Sequence, residues 1–146
     1  MNKKEFSLSE YAEVIEEVLH SGGEFRLYPK GTSMLPLIHQ GRDSVSLVRH
    51  EGRLKRGDIA FYRRTDGSFV LHRVMRSEET LTMCGDNQLE LEKNVPHSAV
   101  IGKVARVFHG EECVSEGISY RLYVFLWRSF LIRRIFFKLR KILDKQ

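Results

Sequence analysis

The sequence predicts a mainly β protein: a mostly antiparallel β-domain, preceded by one helix and followed by a basic amphipathic helix. Three observations carry this. Between residues 24 and 110 the apolar residues fall in short runs separated by turn residues. The segment before that region repeats its apolar residues at helical spacing, and so does the segment after it, which is strongly basic. The chain is 146 residues long, enough to bury one core, and divides into segments 1–23, 24–117 and 118–146.

Residues 7–20 read as the first helix. Ser7 is a good N-cap with Glu10 at capping-box spacing, and Leu8, Tyr11, Val14, Ile15, Val18 and Leu19 form an apolar stripe for packing. Ser21-Gly22-Gly23 ends it. Strands are predicted at 25–28, 44–48, 58–63, 68–76, 80–84 and 100–108. Gly52, Gly57, Asp66-Gly67 and Gly85-Asp86 supply the turns, and Asp66-Gly67 between two apolar runs predicts a hairpin.

Residues 118–143 are predicted as one further helix. Its apolar residues are interrupted by Arg128, Arg133, Arg134, Lys138 and Arg140, which do not segregate cleanly on a helical wheel. The net charge of +5 is concentrated here: residues 120–146 hold eight Lys or Arg and one acid, Asp144. The remainder has a net charge of −2. Packing with snorkelling cations is one reading of this segment. An interfacial anchor is the other, with Trp127, Phe130 and Phe137 entering the headgroup region of an anionic membrane. The segment is too apolar to be a solvated nucleic-acid arm, so no nucleic-acid partner is expected.

No apolar run approaches the length of about 18–20 residues that a spanning helix needs, and nothing at the N-terminus reads as a secretory signal. Peripheral attachment on the cytoplasmic side of a membrane is the resulting expectation. Cys84 and Cys113 are too few for a disulfide framework and lack metal-site spacing. Free thiols are favoured over a pair, and no metal or organic cofactor is implied.

Chemistry is concentrated in the β region. Ser33 follows a glycine-containing bend, Gly31-Thr32-Ser33, and precedes the apolar stretch Met34 to Ile38. It either caps a short helix over 34–38 or presents a hydroxyl beside free backbone N–H groups. His72 shares a strand face with Val70 and Val74, which would keep its imidazole desolvated, neutral and able to accept a proton. A hydrogen-bonded core histidine has the same pattern. Asp86 is either a turn residue bonded to its own backbone or the acid that orients His72.

Five segments occur in a telling order: Gly31-Thr32-Ser33-Met34-Leu35-Pro36, then Gly57-Asp58-Ile59-Ala60-Phe61, His72-Arg73-Val74, Gly85-Asp86-Asn87 and Ile101-Gly102-Lys103-Val104. Together they resemble the signal peptidase I superfamily, over about residues 25–107. A lysine is usual where His72 stands, so the chain is most similar to the archaeal and endoplasmic-reticulum branch. The resemblance implies a signal-peptidase-like β-domain with Ser33 as nucleophile, His72 as general base and Asp86 as orienting acid, Glu92 being the alternative acid. It also implies cleavage of a signal or leader peptide after small residues. Gly31 stands where some relatives carry a hydroxyl, so the oxyanion hole is expected from backbone N–H groups around Gly31 and Ser33, chiefly that of Ser33. Asp86→Asn would then slow the reaction and leave the fold intact. A non-catalytic binding module on the same fold is the alternative. A self-cleaving repressor is disfavoured, because the short helix before the β-region cannot form a helix-turn-helix unit.

Overall fold

The computed structural model describes residues 8–146, so the predicted Ser7 cap lies outside the described residues. Helix α1 (Leu8–His20) leads into eight strands: β1 (Phe25–Leu27), β2 (Asp43–Val48), β3 (Ile59–Arg63), β4 (Phe69–Ser77), β5 (Leu81–Cys84), β6 (Glu92–Val95), β7 (Val100–His109) and β8 (Glu112–Cys113). Helices α2 (Ile118–Trp127) and α3 (Phe130–Leu143) follow. The predicted class is the one observed.

The strands form one sheet in the order β1-β2-β7-β3-β4-β5-β6, with β8 paired to β7 and every pairing antiparallel. Strand β7 inserts between β2 and β3, so residues far apart in sequence tie the centre of the sheet together. Asp66-Gly67 closes the β3–β4 hairpin, where the Arg64 N–H donates to the Ser68 carbonyl at 2.8 Å. That hairpin sets the register that pairs Ala60 with His72 and Tyr62 with Val70.

Alternation along β3 separates two cores. Ile59 and Phe61 join Val45, Leu47, Leu71 and Val107 on one side, where α1 buries Ile15 and Leu19. Ala60 and Tyr62 join Leu54, Val74, Leu81, Met83 and Val95 on the other. Among the described side chains of α1, Ala12, Ile15 and Leu19 are buried, while Tyr11 and Val14 of the predicted stripe are exposed.

Two strands and one break went unpredicted. Glu92-Lys93-Asn94-Val95 has no apolar alternation, because β6 is an edge strand held by its pairing to β5. Strand β8 is only two residues long. The single C-terminal helix is in fact two, interrupted at Arg128-Ser129, where the Ser129 N–H turns back to the Leu126 carbonyl. Both cysteines are free thiols, Cys84 buried and Cys113 half-buried. Among the described residues no helix is long and apolar enough to cross a membrane.

Candidate active site

The loop after β1 is anchored by its apolar residues: Met34, Leu37 and Ile38 are buried in the α1-side core. They fix the backbone on which half-buried Ser33 sits. Residues 33–37 form turns, with the Leu35 N–H donating to the Thr32 carbonyl at 3.2 Å, and not the short helix that Ser33 would have capped. Gly31 adopts φ +91°, a conformation glycine enters without steric cost. Its N–H donates to Gln40 Oε1 at 2.6 Å. That donor is engaged, which corrects its expected place in the oxyanion hole and leaves the Ser33 N–H as the candidate.

The turn after β5 clamps this loop from the other side. The Asn87 N–H donates to the Ser33 carbonyl at 2.9 Å, and Asn87 Nδ2 donates to the Thr32 carbonyl at 3.1 Å. Gly85 approaches so closely that a Cβ there would lie 2.5 Å from the Ser33 carbonyl oxygen. The glycine is thus required by contact.

His72 lies on β4 and is 3% exposed. Burial, followed by the charge of Arg64, lowers its pKa to about 4, so the imidazole is neutral at physiological pH. Its Nδ1 lies 3.4 Å from the Tyr62 hydroxyl, which donates to Glu92 Oε2 at 2.7 Å. Arg64 also donates to Glu92, from Nη2 at 2.9 Å. Burial tends to raise the Glu92 pKa, but hydrogen bonds from Arg64 and Tyr62 prevail and lower it. With the hydroxyl proton committed to Glu92, the Tyr62 oxygen can accept from Nδ1–H. That tautomer leaves Nε2 as a proton acceptor.

His72 is ordinary when unfolded, near 6.5, and about 4 when folded. The unfolded chain therefore takes up this proton first as pH falls. The contribution is complete above about 6.5 and is lost progressively towards about 4, on the order of 3 kcal/mol in all. Urea titrations across that window should show the loss, and His72→Phe should flatten it.

Asp86 is not where the sequence reading put it. Its carboxylate accepts two hydrogen bonds from Arg73, from Nε to Oδ1 and from Nη2 to Oδ2, each at 2.8 Å. It also accepts from the Tyr123 hydroxyl at 2.8 Å and from Arg133 Nη2 at 3.4 Å. Trp127 Nε1 donates to its carbonyl at 2.8 Å. Asp86, Arg73 and Arg133 are all 0% exposed. A carboxylate held by two buried guanidiniums is occupied in binding them. The acid in hydrogen-bond connection with His72 is Glu92, through Tyr62.

Arg133 also donates to the Gly85 carbonyl at 2.6 Å, the Gln88 carbonyl at 3.2 Å and the Trp127 carbonyl at 2.6 Å. The C-terminal helices therefore hold the turn that holds Ser33. Sequence reasoning missed Tyr62, Arg64 and Arg133 as site residues. Tyr62 was findable once the hairpin register was drawn, since it stands two positions from Ala60, the partner of His72. Arg133 was hidden among the other cations of its segment.

Ser33 and His72 line one cavity of about 260 Å³ with Lys30, Met34, Phe69 and Leu71. A second, of about 270 Å³, is lined by His72, Arg64, Gln88, Leu91 and Glu92. A hydroxyl, a neutral imidazole and a cavity lined by both polar and apolar side chains are parts that acyl transfer can use.

The model of the Peptidase S24-like family matches residues 2–105, and the chain belongs to that family. Its fold is accordingly that of a serine peptidase. The match bears out the peptidase resemblance at the level of S24-like peptidases and does not single out signal peptidase I or its archaeal branch. Neither a curated protein nor a solved structure matches the chain. Helices α2 and α3 lie beyond the matched residues.

Proposed function

We propose that the protein is a serine endopeptidase that cleaves a signal or leader peptide after small residues, with Ser33 as nucleophile and His72 as general base. The observation that carries this is the shared cavity, in which Ser33 faces the same space as a neutral, buried His72. Ser33 Oγ attacks the scissile carbonyl carbon as its proton passes to His72 Nε2. The carbonyl oxygen becomes an oxyanion beside the Ser33 N–H. His72 then returns the proton to the leaving nitrogen as the C–N bond breaks, and a water repeats the sequence to release the acyl group. Tyr62 and Glu92 keep Nδ1 protonated throughout. The preference for signal or leader peptides rests on the motif resemblance. The family includes self-cleaving proteins; cleavage of another chain rests on the same motif resemblance.

The test is covalent labelling with a fluorophosphonate, read by peptide mass spectrometry, together with hydrolysis of a short peptide carrying alanines at the cut. The label should sit on Ser33, and Ser33→Ala should lose both labelling and hydrolysis. Hydrolysis that survives Ser33→Ala would refute the assignment. Retention of the peptide without hydrolysis would favour a binding module instead.

A further inference from the structure

Helix α3 has two apolar sides. Phe136 and Phe137 are half-buried and Arg133 is buried on the side towards the body, where Phe136 packs edge-on against Trp127. The other side is turned to solvent: Leu131 is 68% exposed, Ile135 51%, Leu139 55% and Ile142 53%. Their spacing puts them in one row along the helix. Beside it runs a second exposed row, Arg134, Lys138 and Lys141, extended by Lys145 just past the helix end. This explains why the charges did not segregate on a wheel: one helix serves two surfaces.

We propose that the outward face of α3 docks on an anionic membrane surface, with Leu131, Ile135, Leu139 and Ile142 at the acyl boundary and the adjoining cations against lipid headgroups. The composition is that of a helix lying in the interface plane. It differs from the sequence-based expectation in its contacts. Trp127 is 7% exposed and bonded to Asp86, while Phe130 and Phe137 are half-buried, so these three do not form the anchor. Charge selects the occupant. The only acid in residues 120–146 is Asp144, so a second copy of this face would meet like charge. A nucleic acid would leave the aliphatic row in water. An anionic bilayer satisfies both rows at once.

The experiment is sedimentation of the full chain with vesicles of phosphatidylcholine mixed with phosphatidylglycerol, against phosphatidylcholine alone. Partition into the mixed vesicles should be stronger by about tenfold or more and should weaken with salt without vanishing. Two double variants, Leu131→Ser with Ile135→Ser and Lys138→Glu with Lys141→Glu, should each lower it about tenfold. Their melting should stay unchanged, because the side chains are exposed; Leu139→Ser alone repeats the test should a double variant melt early. Equal partition into both vesicle types, or partition that survives both variants, would overturn the proposal. So would a dimer in the parent that both variants dissolve, since a second copy would then be the occupant.

Discussion

Asp86→Asn is expected to destabilise the protein by about 3–5 kcal/mol, the loss typical of removing one partner from a buried ion cluster. Arg73 and Arg133 are both fully buried against this carboxylate. An amide offers them one acceptor oxygen and no charge, so two guanidiniums would stay desolvated with much of their compensation gone. Against the ordinary stability of a domain, about 5–15 kcal/mol, the change would unfold a large share of the molecules near 37 °C. Urea denaturation of parent and variant measures it directly. Unchanged stability combined with slowed hydrolysis would restore Asp86 to the role the sequence suggested. The same cluster bears on residues 118–146. Tyr123, Trp127 and Arg133 all bond to Asp86. Removing these helices is therefore expected to destabilise the β-domain and not to leave it working.

What the sequence made legible was whatever is periodic or local. Strands β1–β5 and β7 were visible as alternating runs and the β3–β4 hairpin as Asp66-Gly67, while Ser33 and His72, which line one cavity, stood out as candidates through the motifs around them. Strand β6 was not visible, because its pairing partner and not its own residues makes it a strand. The misassigned acid has a similar origin. Asp86 and Glu92 both follow His72 at plausible distances in sequence. Which one is spent on a buried guanidinium cluster depends on Arg73, which pairs with it across neighbouring strands, and on Arg133, 47 residues beyond Asp86. Local patterns carry no trace of such a contact. The two-sided character of α3 was hidden for the same reason, since a wheel shows where charges lie but not which side meets the body.

His72→Ala should lower the rate of peptide hydrolysis by about 10²–10⁴, the usual effect of losing a positioned general base. Kinetics against pH then discriminate among ways of producing that loss. His72 must be neutral to accept the Ser33 proton, so kcat/KM falls as pH drops through its free-enzyme pKa. An ordinary imidazole would put that limb between about 6 and 7. Burial and the Arg64 charge move it towards about 4, so activity should persist into mildly acidic solution as long as the fold does. The neighbours give opposite signs. Arg64 lowers the His72 pKa and Glu92 raises it. Arg64→Gln should therefore move the acid limb up in pH, and Glu92→Gln should move it down. Tyr62→Phe removes the oxygen that meets Nδ1, and its main effect should be on kcat, with KM little changed. A merely structural role for these three side chains would alter stability without displacing the limb in opposite directions. Failure of either charge variant to move it would separate Arg64 and Glu92 from the base, and an alkaline-only profile surviving in His72→Ala would assign the proton transfer to another group.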